Sequence, residues 1–243
     1  MKDELAKQAK PKIFVLIDGK SLFYRGYYAM PHLSTADGRP TGGVYGFASL
    51  ALELVRQLRP DYVAVAWDKA KTNIRRRRAI YPEYKANRHP APPDFYQQIP
   101  ILRQLLEALG WPFYEVDDYE ADDIIGTLSK QANRAGIHTV IASSDLDMLQ
   151  LIDDDTEVYA LKKGLSSIDR FDVKAFQAKY GIRVDQFLDL KSLKGDSSDN
   201  IPGVPGVGEK TAVALLQKYH DLDGVYAHLD EITGAAQRRL ADG

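Results

Sequence analysis

Lys12-Ile-Phe-Val-Leu-Ile-Asp-Gly19 is an unbroken apolar run stopped by an Asp-Gly pair, and it reads as a buried strand followed by a sharp turn. The signature returns in Tyr62-Val-Ala-Val-Ala-Trp-Asp68, and again in Ile137-His-Thr-Val-Ile-Ala142 shortly before Asp145. A shorter strand, Phe113-Tyr-Glu-Val116, precedes Glu120, Asp122 and Asp123, and residues 157–161 suggest one more. Between these runs lie amphipathic stretches. Residues 41–58 carry a helical apolar stripe, 94–109 end at Gly110, 119–135 end at Gly136, and a short helix is expected over 145–151. Strands without polar alternation, separated by helices, predict an α/β fold: a mostly parallel central sheet flanked by helices on both faces. Past Phe171 the strand signals cease and the chain reads as helical to its end. The organisation expected is a leader over 1–12, an α/β core over 13–170 and a helical module over 171–243.

Ligands of such sheets bind outside the carboxyl ends of the strands. Asp18, Asp68, the group Glu120, Asp122 and Asp123, and the pair Asp145 and Asp147 each follow a separate strand. Any one of them reads equally well as a helix cap. Seven carboxylates on one edge repel each other unless cations neutralise them, and no matching crowd of Lys or Arg follows those strands. Oxygen donors suit Mg²⁺ or Mn²⁺. The histidines at 32, 89, 138, 220 and 228 lack zinc-site spacing, and the absence of cysteine excludes thiolate zinc, disulfides and a cysteine nucleophile. Two divalent ions about 4 Å apart are general apparatus for phosphodiester hydrolysis, so the acids point to a metal-dependent nuclease.

The net charge of −2 hides a lopsided distribution. From Lys69 to Pro90 there are eight basic residues, including Arg75, Arg76, Arg77, Arg78, Lys85 and Arg88, against Glu83 alone. Charge by itself fits a solvated loop as well as a phosphate-tracking stripe. Interleaved Tyr81, Tyr84 and His89 favour nucleic acid, because flat rings stack on unpaired bases. Emerging directly after Asp68, the segment would bring Lys85 and Arg88 beside a reacting phosphate. Farther on, Ile201-Pro-Gly-Val-Pro-Gly-Val-Gly-Glu-Lys-Thr-Ala212 has a near-miss for a nucleotide P-loop, with Glu209 in the lysine's place and no preceding strand. It resembles a helix-hairpin-helix, whose exposed N–H groups grip duplex backbone. Asp196 and Asp199 would complete the acidic basin if this module folds against the sheet edge. The apolar runs at 13–17 and 62–67 are too short to span a membrane, and 1–12 lacks the apolar stretch of a secretory signal, so a soluble cytoplasmic protein is expected.

Together these motifs resemble the 5′-nuclease domain of bacterial DNA polymerase I and, more broadly, the flap endonuclease superfamily. The likeness is carried by Asp18-Gly19 with Arg25 downstream, Tyr81-Pro-Glu-Tyr-Lys-Ala-Asn-Arg88, Tyr119-Glu-Ala-Asp-Asp123, Asp145-Leu-Asp147 with Gln150-Leu151, and Gly195-Asp-Ser-Ser-Asp-Asn-Ile-Pro-Gly203. It implies a PIN-like core with a helical arch over about 69–93 and a C-terminal helix-hairpin-helix module. It also implies a 5′-3′ exonuclease and flap endonuclease acting by two-metal catalysis near single-strand/duplex junctions in replication and repair. Metal-site acids would be Asp18, Asp68, Glu120, Asp122, Asp123, Asp145, Asp147, Asp196 and Asp199, with Lys85 and Arg88 as the catalytic basic pair. DNA would be met by Arg25, Arg75, Arg76, Arg77, Arg78, Tyr84 as a base-stacking residue, and Gly206, Gly208, Lys210 and Thr211, with K⁺ at the hairpin. The partners implied are DNA with 5′ flaps, nicks or RNA primers and a covalently linked polymerase, the domain itself being a monomer that joins the nucleoid when on DNA. Departures from the family pattern are the strongly basic Arg75–Arg78 run, Leu146 for a common lysine and Ser144 for a common glycine. The chain stops at Gly243 where the family continues with more helices, as expected either for the N-terminal piece of a longer polymerase or for a trimmed form of the domain. Two rivals remain: a PIN-type ribonuclease, which would lack arch and hairpin, and a catalytically weak junction-binding module, which would have lost acids.

Overall fold

The computed structural model describes residues 10–162 and 168–242; apart from Lys10–Lys12, the expected leader lies outside them. Six strands form one sheet: β1 (Lys12–Asp18), β2 (Tyr62–Ala66), β3 (Phe113–Tyr114), β4 (Ile137–Ser143), β5 (Thr156–Leu161) and β6 (Ile168–Phe171). Their order is β3-β2-β1-β4-β5-β6. All neighbours are parallel except β5 and β6. The order reverses between β1 and β4, so the crevice beyond their carboxyl ends is the switch point at which such sheets take ligands. The sequence reading lacked β6, an antiparallel edge strand whose Ile-Asp-Arg-Phe composition carries little strand signal.

The parallel strands have largely apolar centres because both of their faces are covered. Val15, Ile17, Val65, Trp67, Val140 and Ala142 pack against helices on one side, and Leu16, Ala64, Ala66, Ile141 and Val158 form the other core. The first side is closed by α1 (Gly19–Ala29), α2 (Gly42–Leu58) and, beyond a short α3 (Arg75–Ile80), by α4 (Pro93–Gln97) and α5 (Ile99–Ala108). The expected helix over 94–109 is thus two helices. Pro100 has no N–H to donate and is accommodated only in a first turn, so the chain restarts at Ile99. The expected helix at 145–151 is a 3-10 helix, Leu146–Leu151.

The second side is covered by α6 (Ala121–Arg134) and by the C-terminal helices α7 (Val173–Tyr180), α8 (Phe187–Lys194), α9 (Glu209–Tyr219), α10 (Leu222–Ala227) and α11 (Ala235–Asp242). Phe176, Phe187, Leu190, Leu193 and Leu216 belong to the same buried cluster as Leu16 and Ile141. That shared core fixes α8 and the loop after it against the sheet edge. The loop folds back on itself where Gly195 (φ 78°) and Gly203 (φ 62°) touch. A Cβ on Gly203 would stand 2.2 Å from the Gly195 nitrogen, so only glycine permits the approach that aims Asp196 and Asp199 at the sheet.

Candidate metal centre and nucleic-acid interface

Four strand ends deliver their acids to one cleft. Asp18 ends β1 and caps α1: Oδ1 accepts the Ser21 N–H at 3.1 Å and Oδ2 accepts the Ser143 hydroxyl at 2.6 Å. The Ser143 Oγ in turn accepts the Asp145 N–H at 2.9 Å, and Asp145 Oδ1 accepts the Asp147 N–H at 2.9 Å. Asp68, just past β2, accepts the Ala121 N–H at 2.9 Å and lies 3.4 Å from Lys20 Nζ. Glu120 caps α6, its own N–H donating to Asp123 Oδ2 at 2.9 Å. The cleft, about 550 Å³, is lined by Asp18, Asp68, Glu120, Asp122 and Asp145, with Lys20, Lys85, Arg88, Tyr24 and Arg25 around them.

A second group stands beside the first. Asp147, Asp196 and Asp199 each bring one oxygen within 4.8 Å of the others. Of the nine acids expected at a metal site, Asp123 alone faces elsewhere: Arg77 grips it at 2.7 and 3.0 Å in a neighbouring groove. With donors that are all carboxylate oxygens, the two groups fit hard divalent cations. Among the described residues no histidine lines either group.

Protonation differs sharply across these acids. Burial pushes Asp18 up to about 6, against the pull of Ser143 and the Ser21 N–H. Burial, with repulsion from Asp18 and Asp145, also raises Asp122 well above the ordinary carboxylate range. Burial would raise Asp68 and Asp196 too, but cations reverse the sign. Lys20 and the Ala121 N–H hold Asp68 low, and Lys191 with Ser198 holds Asp196 low. Asp147 remains raised by burial despite its bond to Lys191.

Those lysines correct one expectation. The acids do have nearby protein cations, contributed by Lys20, Arg77, Lys85, Arg88 and Lys191. Sequence order concealed them because most arrive from other segments. Lys191, five positions before Asp196, Ser143, the last residue of β4, and Lys20, two positions after Asp18, are among the site residues the sequence reading missed. The only signal available was their position next to expected acids.

The basic segment over 69–93 runs as loop, short helix and turns, and its Lys85 and Arg88 line the cleft. Its arginines are not a free cationic stripe, because each is already bound. Arg75 reaches Asp118 at 2.6 Å, Arg76 the Tyr119 hydroxyl at 2.9 Å, Arg77 Asp123 and Glu120, and Arg78 the Tyr84 carbonyl at 3.0 Å. Tyr84, expected to stack on bases, is only 7 % exposed; its hydroxyl donates to Glu120 at 2.7 Å and Asp199 at 3.0 Å. Lys85, in left-handed backbone (φ 54°), is paired with Glu120, and Arg88 with Asp199 at 2.6 Å. Backbone and side-chain bonds from Lys85 to Asp199, Asn87 to Ser197 and Asn200 to Glu83 tie this segment to the loop after α8. An aromatic shelf was not foreseen: Tyr24 lines the cleft and stacks on exposed Tyr28, with ring centroids 5.9 Å apart. Arg25, also at the cleft, donates to the Leu161 carbonyl at 3.0 Å.

The hairpin joins α8 to α9. Val204 and Val207 anchor it in the core, while Gly206, Gly208, Lys210 and Thr211 face solvent. Gly208 starts α9 without a side-chain cap, so the first-turn N–H groups are open to an anionic partner.

Comparison with known proteins agrees with the fold. Residues 13–181 match the model of the 5′-3′ exonuclease N-terminal resolvase-like domain, and 182–243 that of the 5′-3′ exonuclease C-terminal SAM fold. DNA polymerase I of Bacillus subtilis is 42% identical over 223 residues, 92% of this chain and 25% of the polymerase. The chain thus spans about a quarter of the length of that relative. Among solved structures, the D15 flap endonuclease of bacteriophage T5, a D155K variant in a pseudo-enzyme-product complex with DNA and metal ions, superposes with a TM-score of 0.76 at 21% identity. That match covers 95% of this chain and 83% of the phage protein. T5 5′-exonuclease with bound zinc gives 0.75 at 21% identity, covering 95% and 84%. At such identities the likeness speaks for the fold.

Proposed function

The chain belongs to the 5′-3′ exonuclease family, and from that premise we propose that it is a structure-specific nuclease hydrolysing phosphodiester bonds in DNA near single-strand/duplex junctions. The observation that carries the reading is the cleft in which Asp18, Asp68, Glu120, Asp122 and Asp145 meet Lys85 and Arg88. These acids, with Asp147, Asp196 and Asp199, would hold two or more Mg²⁺ or Mn²⁺ ions. Divalent ions supply a lowered pKa for an attacking water and relief of charge on the phosphate oxygens. Lys85 and Arg88 add fixed positive charge where the phosphate enters, worth most in a site from which water is excluded. The hairpin glycines with Lys210 and Thr211 would hold the duplex backbone, with K⁺ as a candidate ion there. Tyr24, Arg25 and the arginines of the basic segment would face the strand near the cut. Substrates in this reading are 5′ flaps, nicks and RNA primers, and the setting is a longer polymerase acting in replication and repair. Among the described residues no helix is long and apolar enough to cross a membrane.

Cleavage of a 5′-labelled flap duplex in Mg²⁺, in EDTA and against a blunt duplex tests the reading. Metal-dependent cutting at the junction is expected. Binding without cutting would leave a junction-binding module in its place. Replacing both Asp145 and Asp147 by Asn is expected to abolish cutting while DNA affinity holds or rises, because repulsion between acid and phosphate falls. Undiminished Mg²⁺-dependent cutting by that double variant would sink the role given to these acids.

A further inference from the structure

The charge between Asp147 and Asp196 is met by the protein itself. Lys191 Nζ lies 2.6 Å from Asp147 Oδ1 and 2.5 Å from Asp196 Oδ2. Asp196 and Lys191 come from the helical region, one in the loop after α8 and one on α8, whereas Asp147 comes from the sheet edge. The third acid is neutralised from a different direction: Asp199 faces Arg88 at 2.6 Å and Lys85 at 3.7 Å, both from the basic segment.

We propose that Lys191 is a built-in counter-ion of this acidic group, which holds Asp147 and Asp196 together before a divalent cation arrives and competes with that cation for the same oxygens. The inference rests on the metal-dependent reading above and adds a residue to it. An ammonium that close to both oxygens occupies the lone pairs a divalent ion must use, and Mg²⁺–oxygen bonds are about 2.1 Å. Two cations sharing those oxygens would repel each other strongly in a half-buried setting, so loading requires the ammonium to leave. Room to leave exists: a cavity of about 140 Å³ adjoins the group, lined by Phe187, Leu188, Lys191, Ser192 and Ile201 beside the three acids. Departure of Lys191 also removes a tie between the sheet edge and α8. Metal binding therefore replaces one cross-link between the two regions by another.

A merely structural clamp makes a different prediction. Removing such a clamp would loosen the group and lower stability and metal affinity together. Removing a competitor lowers metal-free stability but raises metal affinity.

The test uses the full chain, without DNA, as wild type, Lys191→Met and Lys191→Arg. Metal-free thermal unfolding in chelator gives the first readout, and Mn²⁺ titration followed by the EPR signal of the free ion gives the second. Lys191→Met is expected to melt below wild type and to bind Mn²⁺ about tenfold more tightly, the scale of one charge-assisted hydrogen bond no longer to be broken. Lys191→Arg, which keeps the charge, is expected to bind as wild type does. Lys191→Gln keeps a donor without the charge and carries the same expectation as Lys191→Met should that variant fold poorly. Mn²⁺ affinity equal to or below wild type in the uncharged variants overturns the proposal, while wild type still binds the ion. Failure of wild type itself to bind Mn²⁺ overturns the metal reading on which the proposal stands.

Discussion

Asp18 and Glu120 line one cleft and are both almost fully buried, yet they are treated oppositely. Glu120 accepts from Tyr84, faces Arg77 at 3.1 Å and is paired with Lys85. Asp18, by contrast, accepts a serine hydroxyl and a backbone N–H and is paired with no cation among the described residues, and its carboxyl is pushed up to about 6. The basic segment thus supplies permanent counter-charge to one side of the site. The β1–β4 crevice holds an acid whose charge the folded chain does little to balance. Burying a charge without a partner is costly, so the unbalanced side is where a bound cation has most to contribute.

That contrast predicts stability changes of opposite sign. Lys85→Met should leave Glu120 buried with less compensation and destabilise the protein by about 3 kcal/mol or more, read from urea midpoints. It should also depress turnover on flap DNA far more than duplex affinity, since the lost cation acts on the reacting phosphate. Equal losses in turnover and affinity would remove Lys85 from the reaction and leave it a structural pair.

Asp18→Asn should do the reverse in metal-free protein. The folded state holds the Asp18 proton more tightly than an ordinary carboxyl does, at about 6 against 3.8. Wild-type stability is therefore favoured at pH below 4, declines as pH rises towards 6, and changes no further above it. The full decline amounts to about 3 kcal/mol as an upper bound. Urea midpoints in chelator from pH 4 to 7 should show this slope in wild type and a flatter profile in the variant, with the variant more stable at pH 7. Cleavage by the same variant should fall by at least about a hundredfold, the scale for losing a group that organises transition-state charge. A smaller step is expected for Tyr84→Phe, which removes one hydroxyl from Glu120 and Asp199 and should cost about 1–2 kcal/mol.

The two sides were not equally legible in the sequence. Asp18, Asp68, Glu120 and Asp145 announced themselves because apolar runs end just before them, and the switch-point rule then places them together without any knowledge of distances. Asp196 and Asp199 needed the helical region to fold onto the sheet edge, which the shared core of Phe187, Leu190 and Leu193 with Ile141 accomplishes. Pairing was the illegible part. Lys85 with Glu120, Arg77 with Asp123 and Lys191 with Asp147 join residues far apart in sequence, and no periodicity encodes such contacts. The same limit explains Tyr84. A tyrosine within a basic run looks like a stacking ring until tertiary structure turns its hydroxyl onto two carboxylates.

Arg75 offers the finest test of where the basic segment stops serving the fold and starts serving a ligand. Its bond to Asp118 spans 2.6 Å, but both side chains are about half exposed. Water and salt screen such a pair, so its contribution to folding is small whatever its geometry. Arg75→Ala should therefore leave the unfolding midpoint unchanged within error, unlike Lys85→Met only ten positions away. DNA affinity supplies the discriminating readout. If Arg75 exchanges Asp118 for a phosphate when DNA binds, the variant should lose affinity and its log-affinity against log-salt slope should shrink by about one. An unchanged slope would mean that Arg75 stays with Asp118 in the complex. The counter-charge for DNA would then come from other cations, such as Lys85 and Arg88 at the cleft or Lys210 at the hairpin, and Arg75 would serve the fold alone.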